Sequence, residues 1–375
     1  MEIAFSFILI VYLTLLVYVW NTWRKIPLVT DQGSAANPPG VTIVIAVRNE
    51  QVHIEQLVES LKQLDYPSAL LEVIIVNDHS DDNTKQLLEL YTAKNPSFKL
   101  IDLDDSPGFN GSYKKRALTK GIDQASHEII ITTDGDCLFE PAWVSKLVES
   151  LHFQQWEMAT GPVIYQSGNW TSHLLNIELA SLVAVGAVSL TKGHPNMCNG
   201  ANLAFTKKAF QAVDGYKGFE QVISGDDEFL LYKIFNRYPH RVGFVKHRSA
   251  VVTTAPPKSL SQFLNQRKRW SGKWKRHKSM STRLLAIFVF FFHLSFTLVL
   301  LLSLSGYYSW GALLVQCTCK LIAEFLLVNS VLRFMDKRVS IKWYLVMQIL
   351  YSIYVVLVVL IVQFTGFTWK NRSYK

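Results

Sequence analysis

Four short stretches hold side chains whose types and spacing could do chemistry together: Asn77-Asp78, Asp134-Gly135-Asp136, Asp226-Asp227 and Gln266-Arg267-Lys268-Arg269-Trp270. Two carboxylates one residue apart, with a glycine between them, can turn toward one small volume where a cation must offset their repulsion. A hard divalent ion with oxygen ligands, shared with a diphosphate, does this. Asp226-Asp227 follows Gly225 and opens a run with helical spacing, Phe229, Leu230, Lys233 and Ile234, so both carboxylates stand at a helix N-terminus. Capping would account for one carboxylate, and two in a row make a site as good a reading. Gln266 to Trp270 offers positive charge and an indole ring. An acid-x-acid pair alone is weak, because loops are often acidic for solubility.

Position strengthens it. Val41 to Val47 is an apolar run ending in Arg48-Asn49-Glu50, and Ile54, Leu57, Val58, Leu61 and Leu64 follow with a period of about 3.6 residues. The pattern of buried strand then amphipathic helix repeats at Val73 to Val76 with Thr84 to Tyr91, and at Phe98 to Ile101 with Tyr113 to Ile122. It recurs once more at Ile129 to Ile131 with Pro141 to Leu151. Continuous apolar strands alternating with helices predict an α/β domain with a mostly parallel, Rossmann-like sheet covered on both faces. Ligands of such sheets bind at the carboxyl ends of the strands, where Asn77-Asp78 and Asp134-Gly135-Asp136 fall. Cys198-Asn199-Gly200-Ala201-Asn202 and Gly215-Tyr216 read as small, substrate-facing turns.

The chain is also 49% hydrophobic with a mean hydropathy of +0.16, high for a soluble protein. The excess lies toward the ends. Ile3 to Trp20, Leu284 to Leu304 and Trp343 to Phe364 carry no charge, and each approaches the roughly 20 residues that cross a bilayer as a helix. Tyr308 to Leu332 is read as a fourth span, its Lys320 and Glu324 sharing one face at i,i+4 spacing and forming a structural pair inside a bundle. Arg24 and Lys25 after the first stretch, and Lys273, Lys275, Arg276, Lys278 and Arg283 before the next, place the middle of the chain in the cytoplasm. The first stretch lacks a basic leader, so it reads as an anchor rather than a cleaved signal. Three C-terminal spans would leave the basic tail Trp369 to Lys375 outside, against the same rule. Leu174 to Leu190 is long and apolar with Glu178 as its single charge. A single crossing there would put Asp134 and Asp226 on opposite sides, so it reads as a buried or interfacial helix.

These segments divide the chain into an anchor over 1–25, a linker over 26–40, a catalytic domain over 41–258, an amphipathic interface helix over 259–283, transmembrane helices over 284–368 and a basic tail over 369–375. The net charge of +9 gathers beside the apolar segments, which favours an anionic bilayer over nucleic acid as the partner. The four cysteines, Cys137, Cys198, Cys317 and Cys319, have no paired metal spacing and read as reduced and structural.

From Val41 to Trp274 the sequence resembles the family 2 inverting glycosyltransferases of the GT-A fold, in their membrane-bound Gln-x-x-Arg-Trp branch. Val76-Asn77-Asp78-His79-Ser80-Asp81-Asp82 looks like the acidic nucleotide-binding stretch, with Asn77 where an acid is commoner. Lys114 resembles the lysine before an Ala-Leu-Asn, here Ala117-Leu118-Thr119. Asp134-Gly135-Asp136 resembles the metal and diphosphate motif, Asp226-Asp227 the acid-Asp motif, and Gln266, Arg269 and Trp270 the Gln-x-x-Arg-Trp. The resemblance implies Asp227 as catalytic base and Asp136 with Asp134 holding Mg²⁺ or Mn²⁺. It also implies that Arg48, Asn49, Glu50 and Asp78 hold the nucleoside, and that Lys114, Asp226, Gln266, Arg269 and Trp270 bind substrate.

The implied activity moves a hexose from a nucleotide sugar, UDP-linked, to a lipid or glycan acceptor at the cytoplasmic face of the cell membrane. The preferred reading is one addition to a membrane lipid, since Trp369-Lys370-Asn371-Arg372 resembles a Trp-Lys-Gly-Arg tail of lipid glycosyltransferases. A processive synthase of an extracellular polysaccharide is the alternative, and an inactive, transferase-like membrane binding protein a second.

Overall fold

The computed structural model describes residues 2–29, 37–104, 109, 111–168, 170–271, 279–364, 367–369 and 372–374. It divides into two compact units. A sheet unit takes 27–166 and 189–255, and a helical unit takes 1–26, 167–188 and 256–375. Elements are numbered along the chain.

The sheet unit is built on β1 (Val41–Val47), β2 (Leu71–Asn77), β3 (Phe98–Asp102) and β4 (Ile129–Asp134), all parallel, with β1 and β2 between the other two. Val41, Ile43, Val44 and Ile45 of β1 and Val73 to Val76 of β2 are all fully buried, so both faces are covered and the strands read as unbroken apolar runs. The covering helices are α2 (Ile54–Lys62), α3 (Thr84–Thr92), α4 (Tyr113–Gln124) and α5 (Trp143–Phe153). Ile54, Leu57, Val58 and Leu61 form the buried stripe of α2. Gly121 lets α4 lie close on the sheet, because a Cβ there would stand 2.5 Å from Val44 Cγ1.

The sequence reading did not reach the other half of this sheet. After β5 (Cys137–Leu138) come β6 (Met158–Thr160), β7 (Val163–Tyr165), β8 (Leu203–Thr206), β9 (Val242–Phe244) and β10 (Val252–Thr254). β8 lies antiparallel to both β4 and β6, and β9 is parallel to β6, which completes the order β3-β2-β1-β4-β8-β6-β9. β5, β10 and β7 form a second sheet that begins one residue after Asp136. α7 (Lys207–Ala212) and α8 (Asp226–Arg237) complete the unit.

The helical unit holds α1 (Glu2–Lys25), α6 (Trp170–Thr191, up to residue 188), α9 (Leu260–Ser271), α10 (Met280–Leu304), α11 (Trp310–Phe334) and α12 (Ile341–Phe364), then a short hairpin of β11 (Phe367–Trp369) and β12 (Arg372–Tyr374). Among the described residues five helices, α1, α6, α10, α11 and α12, are long and apolar enough to cross a membrane. In α6, 56% of the most apolar window is buried within the protein, against 6% to 28% in the other four. Residues 272–278, with most of the basic run before α10, and Lys370, Asn371 and Lys375 of the tail lie outside the described residues.

α1 and α11 run in the same direction, with Phe5 on Tyr308, Tyr12 on Glu324 and Trp23 on Phe334. Lys320 lies 3.1 Å from Glu324 and donates to Gln348 of α12 at 2.6 Å. Gln348 in turn donates to Glu324 at 2.7 Å, and so does the Tyr12 hydroxyl, also at 2.7 Å. The charges expected to pair do so, and α1 and α12 supply the hydrogen bonds that make burial of the pair tolerable.

Candidate active site

Parallel strands deliver their C-terminal residues to one edge, and the register aligns Val47 with Asn77, Asn77 with Asp102, and Ala46 with Asp134. Arg48 is buried directly after β1. Its Nη1 donates to the carbonyls of Asp78, at 2.8 Å, and His79, and its Nη2 meets Asp81 Oδ2 at 2.8 Å. Asn49 accepts from Asp81 N at 2.8 Å and donates its own N–H to Ser80 Oγ at 3.1 Å, while Glu50 N–H donates to Thr84 Oγ1 at 2.8 Å. The loops after β1 and β2 are therefore one knitted structure. Asn49 (φ 52°) and His79 (φ 49°) sit in the left-handed region there, a strained conformation for residues with a Cβ, held by these bonds and by the 2.9 Å contact of His79 Nδ1 with Asp78. Asn77 donates to Asp102 at 2.8 Å. Burial opposes the charge on Asp102, yet the bonds from Asn77 and Lys85 hold its carboxyl below the usual value.

Asp134 ends β4, and Asp136 follows across Gly135. The glycine is required by space: a Cβ there would stand 2.9 Å from Val47 Cγ1 and 3.1 Å from Glu50 Cγ. Lys114, in the first turn of α4, places Nζ 2.7 Å from Asp134 Oδ1 and 3.1 Å from Asp226 Oδ2. Burial disfavours ionisation of Asp226, but Lys114 and Lys115 more than offset it, so its carboxyl is held below its ordinary range. Asp227 accepts the Gly200 N–H at 3.0 Å and the Glu228 N–H at 2.7 Å. Gly200 allows this approach, since a Cβ there would meet Asp226 Oδ2 at 3.1 Å and Asp227 Cβ at 3.4 Å. The structure thus brings Asp134, Lys114, Asp226, Asp227 and Gly200 into one connected cluster. Arg48, Asn49, Glu50 and Asp78 form a second group along the same edge.

Gln266, Arg269 and Trp270 lie on α9 in the helical unit. The residue between them proves the more deeply anchored. Arg267 donates to Glu178 Oε2 of α6 at 2.6 Å, with both side chains at or below 10% exposure, and its guanidinium lies over the rings of Phe263 and Trp270. The sequence reading counts Arg267 only among the positive charges of this stretch, although an arginine amid aromatics was the available signal for a buried partner.

Two further residues have anchoring roles that the sequence did not show. Lys115 is buried and donates to the carbonyls of Phe219, Val222 and Ser224 at 2.8, 2.6 and 3.3 Å, which fixes the loop leading to Gly225 and Asp226. Asn202 is fully buried, accepts from Trp143 Nε1 and donates to the carbonyls of Pro162 and Ala250. The turn read as substrate-facing is thus pinned at Asn202 and presents Gly200. Burial, with Asp136 and Asp134 nearby, pushes the Cys137 thiol well above its usual value, so it stays a protonated core residue.

Among the described residues no group of three or more histidine, cysteine or acidic side chains could hold a metal ion. Asp134 and Asp136 nevertheless offer hard oxygen donors beside one glycine, and Asp134 already engages a cation, Lys114. Magnesium is commonly held by one or two carboxylates plus substrate phosphates and water. The residues fit a metal whose ligand shell a diphosphate completes.

The family model described as glycosyl transferase family 21 matches residues 3–375. The chain is 26% identical over 237 residues to a poly-beta-1,6-N-acetyl-D-glucosamine synthase of Staphylococcus epidermidis, covering 62% of this chain and 54% of that one. The synthase of Staphylococcus aureus (strain COL) is 29% identical over 238 residues with the same coverage. The chain spans about half the length of these curated relatives. Among solved structures, the mannosyltransferase PcManGT from Pyrobaculum calidifontis, in complex with GDP-Man and Mn2+, superposes with a TM-score of 0.60 at 16% identity, covering 94% of this chain and 99% of that one. That likeness shows the GT-A-like fold. The motifs pointed to family 2, and the match over the whole chain is to a differently numbered family of the same class. The chain is a glycosyltransferase and belongs to glycosyl transferase family 21.

Proposed function

We propose that the chain transfers a sugar from a nucleoside-diphosphate sugar to an acceptor hydroxyl with inversion, at the cytoplasmic face of a membrane. The observation that carries this reading is the cluster around Lys114, which joins the Asp134 and Asp226 carboxylates and lies beside Asp227. Asp227 is the base: its carboxylate takes the acceptor proton as the acceptor oxygen bonds to the anomeric carbon. The bond from that carbon to the phosphate oxygen breaks, and its electron pair leaves with the nucleoside diphosphate. The N–H groups of Gly200 and Glu228 aim the carboxylate. Asp134 and Asp136 would hold Mg²⁺ or Mn²⁺, which when bound neutralises charge on the departing diphosphate. Arg48, Asn49, Glu50 and Asp78 serve the nucleoside, and the resemblance alone supports a substrate role for Gln266, Arg269 and Trp270.

Asp134 and Asp226 lie on either side of α6 in the chain, and both pair with Lys114. A single membrane crossing by α6 would forbid that, which supports one catalytic face with α6 buried or interfacial. The donor base is proposed as uracil from the motif resemblance.

The likeness to poly-N-acetylglucosamine synthases favours a polysaccharide product over addition to a lipid. A single-addition glycolipid reading rests on the resemblance of Trp369 to Arg372 to the tail of lipid glycosyltransferases. Membranes bearing the protein, given labelled UDP-GlcNAc, UDP-glucose or GDP-mannose, separate these. Label in a water-soluble polymer supports the synthase, and label confined to the organic phase overturns it in favour of glycolipid. No transfer from any donor rejects both.

A further inference from the structure

Asp134 and Asp226 face each other across one ammonium. The backbone around them is fixed: Gly135 is packed against Val47 and Glu50, Asp226 begins α8 against Gly200, and Lys115 ties the first turn of α4 to three carbonyls. Lys114, one residue along, differs in kind. Its charge sits at the tip of a four-carbon stem, a point charge able to change partners without moving the helix. It is also the cation recorded on Asp134, one of the two carboxylates that fit the metal.

We propose that Lys114 is a place-holding cation that keeps Asp134 from binding the divalent ion until the donor arrives. When the diphosphate enters, the ammonium passes from Asp134 to phosphate oxygen, and Asp134 becomes a metal ligand in the same event. The inference rests on the metal-dependent reading of the site. Its consequence is that metal and nucleotide bind cooperatively, since each removes the obstacle to the other. Because coupling is reciprocal, the nucleotide tightens the metal by the factor by which the metal tightens the nucleotide. Charge accounting points the same way: with neither ligand bound, the two facing carboxylates without Lys114 would lose the one cation that contacts both, so the lysine offsets in the resting enzyme what the metal would offset in the loaded one.

The test is Mn²⁺ binding, followed by the electron paramagnetic resonance of free Mn²⁺, on the purified full chain in detergent with and without UDP. Wild type should bind Mn²⁺ weakly alone and about 5-fold or more tightly with UDP. Lys114→Met should bind Mn²⁺ alone more tightly than wild type and lose most of the gain from UDP, while Lys114→Arg should keep the wild-type suppression. Thermal melting of each variant checks that it is folded. If Lys114→Met binds Mn²⁺ alone no better than wild type, while wild type still gains from UDP, the place-holder is wrong and the metal reading stands. If no protein binds Mn²⁺ even with UDP, the metal reading fails and this inference with it.

Discussion

Arg267 and Glu178 form an ion pair at 2.6 Å inside the helical unit, joining α9 to α6. The carboxylate also faces the Tyr354 hydroxyl of α12 at 3.5 Å, and the guanidinium lies over the rings of Phe263 and Trp270, so three helices converge on one pair of charges. Losing one member of a buried pair strands the other, at a cost of about 3–5 kcal/mol. Arg267→Met and Glu178→Leu should each lower the melting temperature sharply in detergent, while the double variant recovers most of the loss. Additive losses in the double variant would show that the pair contributes nothing as a pair.

Asp227→Asn tests the base. Losing general-base action should lower transfer by about 10²–10⁴-fold. Asparagine offers one oxygen where two N–H groups, of Gly200 and Glu228, now point, so one is left unsatisfied at about 1–3 kcal/mol of stability. UDP affinity by calorimetry should survive, since the nucleoside is assigned to other residues. Full transfer by the variant would remove Asp227 from the role.

Acid stability reports the Lys114 contact by a different route. Because the folded-state value of Asp226 is depressed, the group stabilises the fold above its unfolded value of about 3.9, and that contribution is lost as pH falls through the folded value. Lys114→Met removes the nearer cation and leaves burial less opposed, so the folded value rises and unfolding on acidification should begin at a higher pH. Circular dichroism through an acid titration reads the midpoint; superimposed curves for the two proteins would contradict the assignment.

Much of this was legible from the chain alone, for physical reasons that also mark its limits. β1 and β2 are buried on both faces, so their apolar runs stood out, and strand direction then placed Asp78 and Asp134 on one edge. β6, β7, β9 and β10 are three residues each, too short for any period to register. The roles of Lys114 and Lys115 could not be told apart by type: both are lysines in one helical turn, and only packing sends one to carboxylates and the other to carbonyls. Leu174 to Leu190 was set apart from the other apolar stretches, and the helix there is more buried within the protein than they are, but its Glu178 gave no hint of its partner 89 residues away. The motif resemblance led to the enzyme class that the family match shows, though to a different family number within it.

Two glycines of the sheet unit should separate folding from catalysis. Gly121→Ala would push a methyl to 2.5 Å from Val44 Cγ1 and 3.2 Å from Val76 Cγ2, both in buried strands that cannot yield, so overpacking should cost about 1–3 kcal/mol with transfer per folded molecule unchanged. Gly135→Ala meets Val47 at 2.9 Å and the Glu50 side chain at 3.1 Å; Glu50 can swing aside but Val47, buried in β1, cannot, so the strain passes to the turn between Asp134 and Asp136. A displacement of about 1 Å in a reacting constellation can cost on the order of 10²-fold, so a shift of a few tenths should lower transfer several-fold and weaken Mn²⁺ binding in the presence of UDP, with little change in melting. Melting temperature, specific transfer rate and Mn²⁺ affinity on both variants decide it. A Gly135→Ala protein that melts early but transfers normally would mean that Gly135 serves the packing of β1 against β4 and leaves the carboxylates where they are.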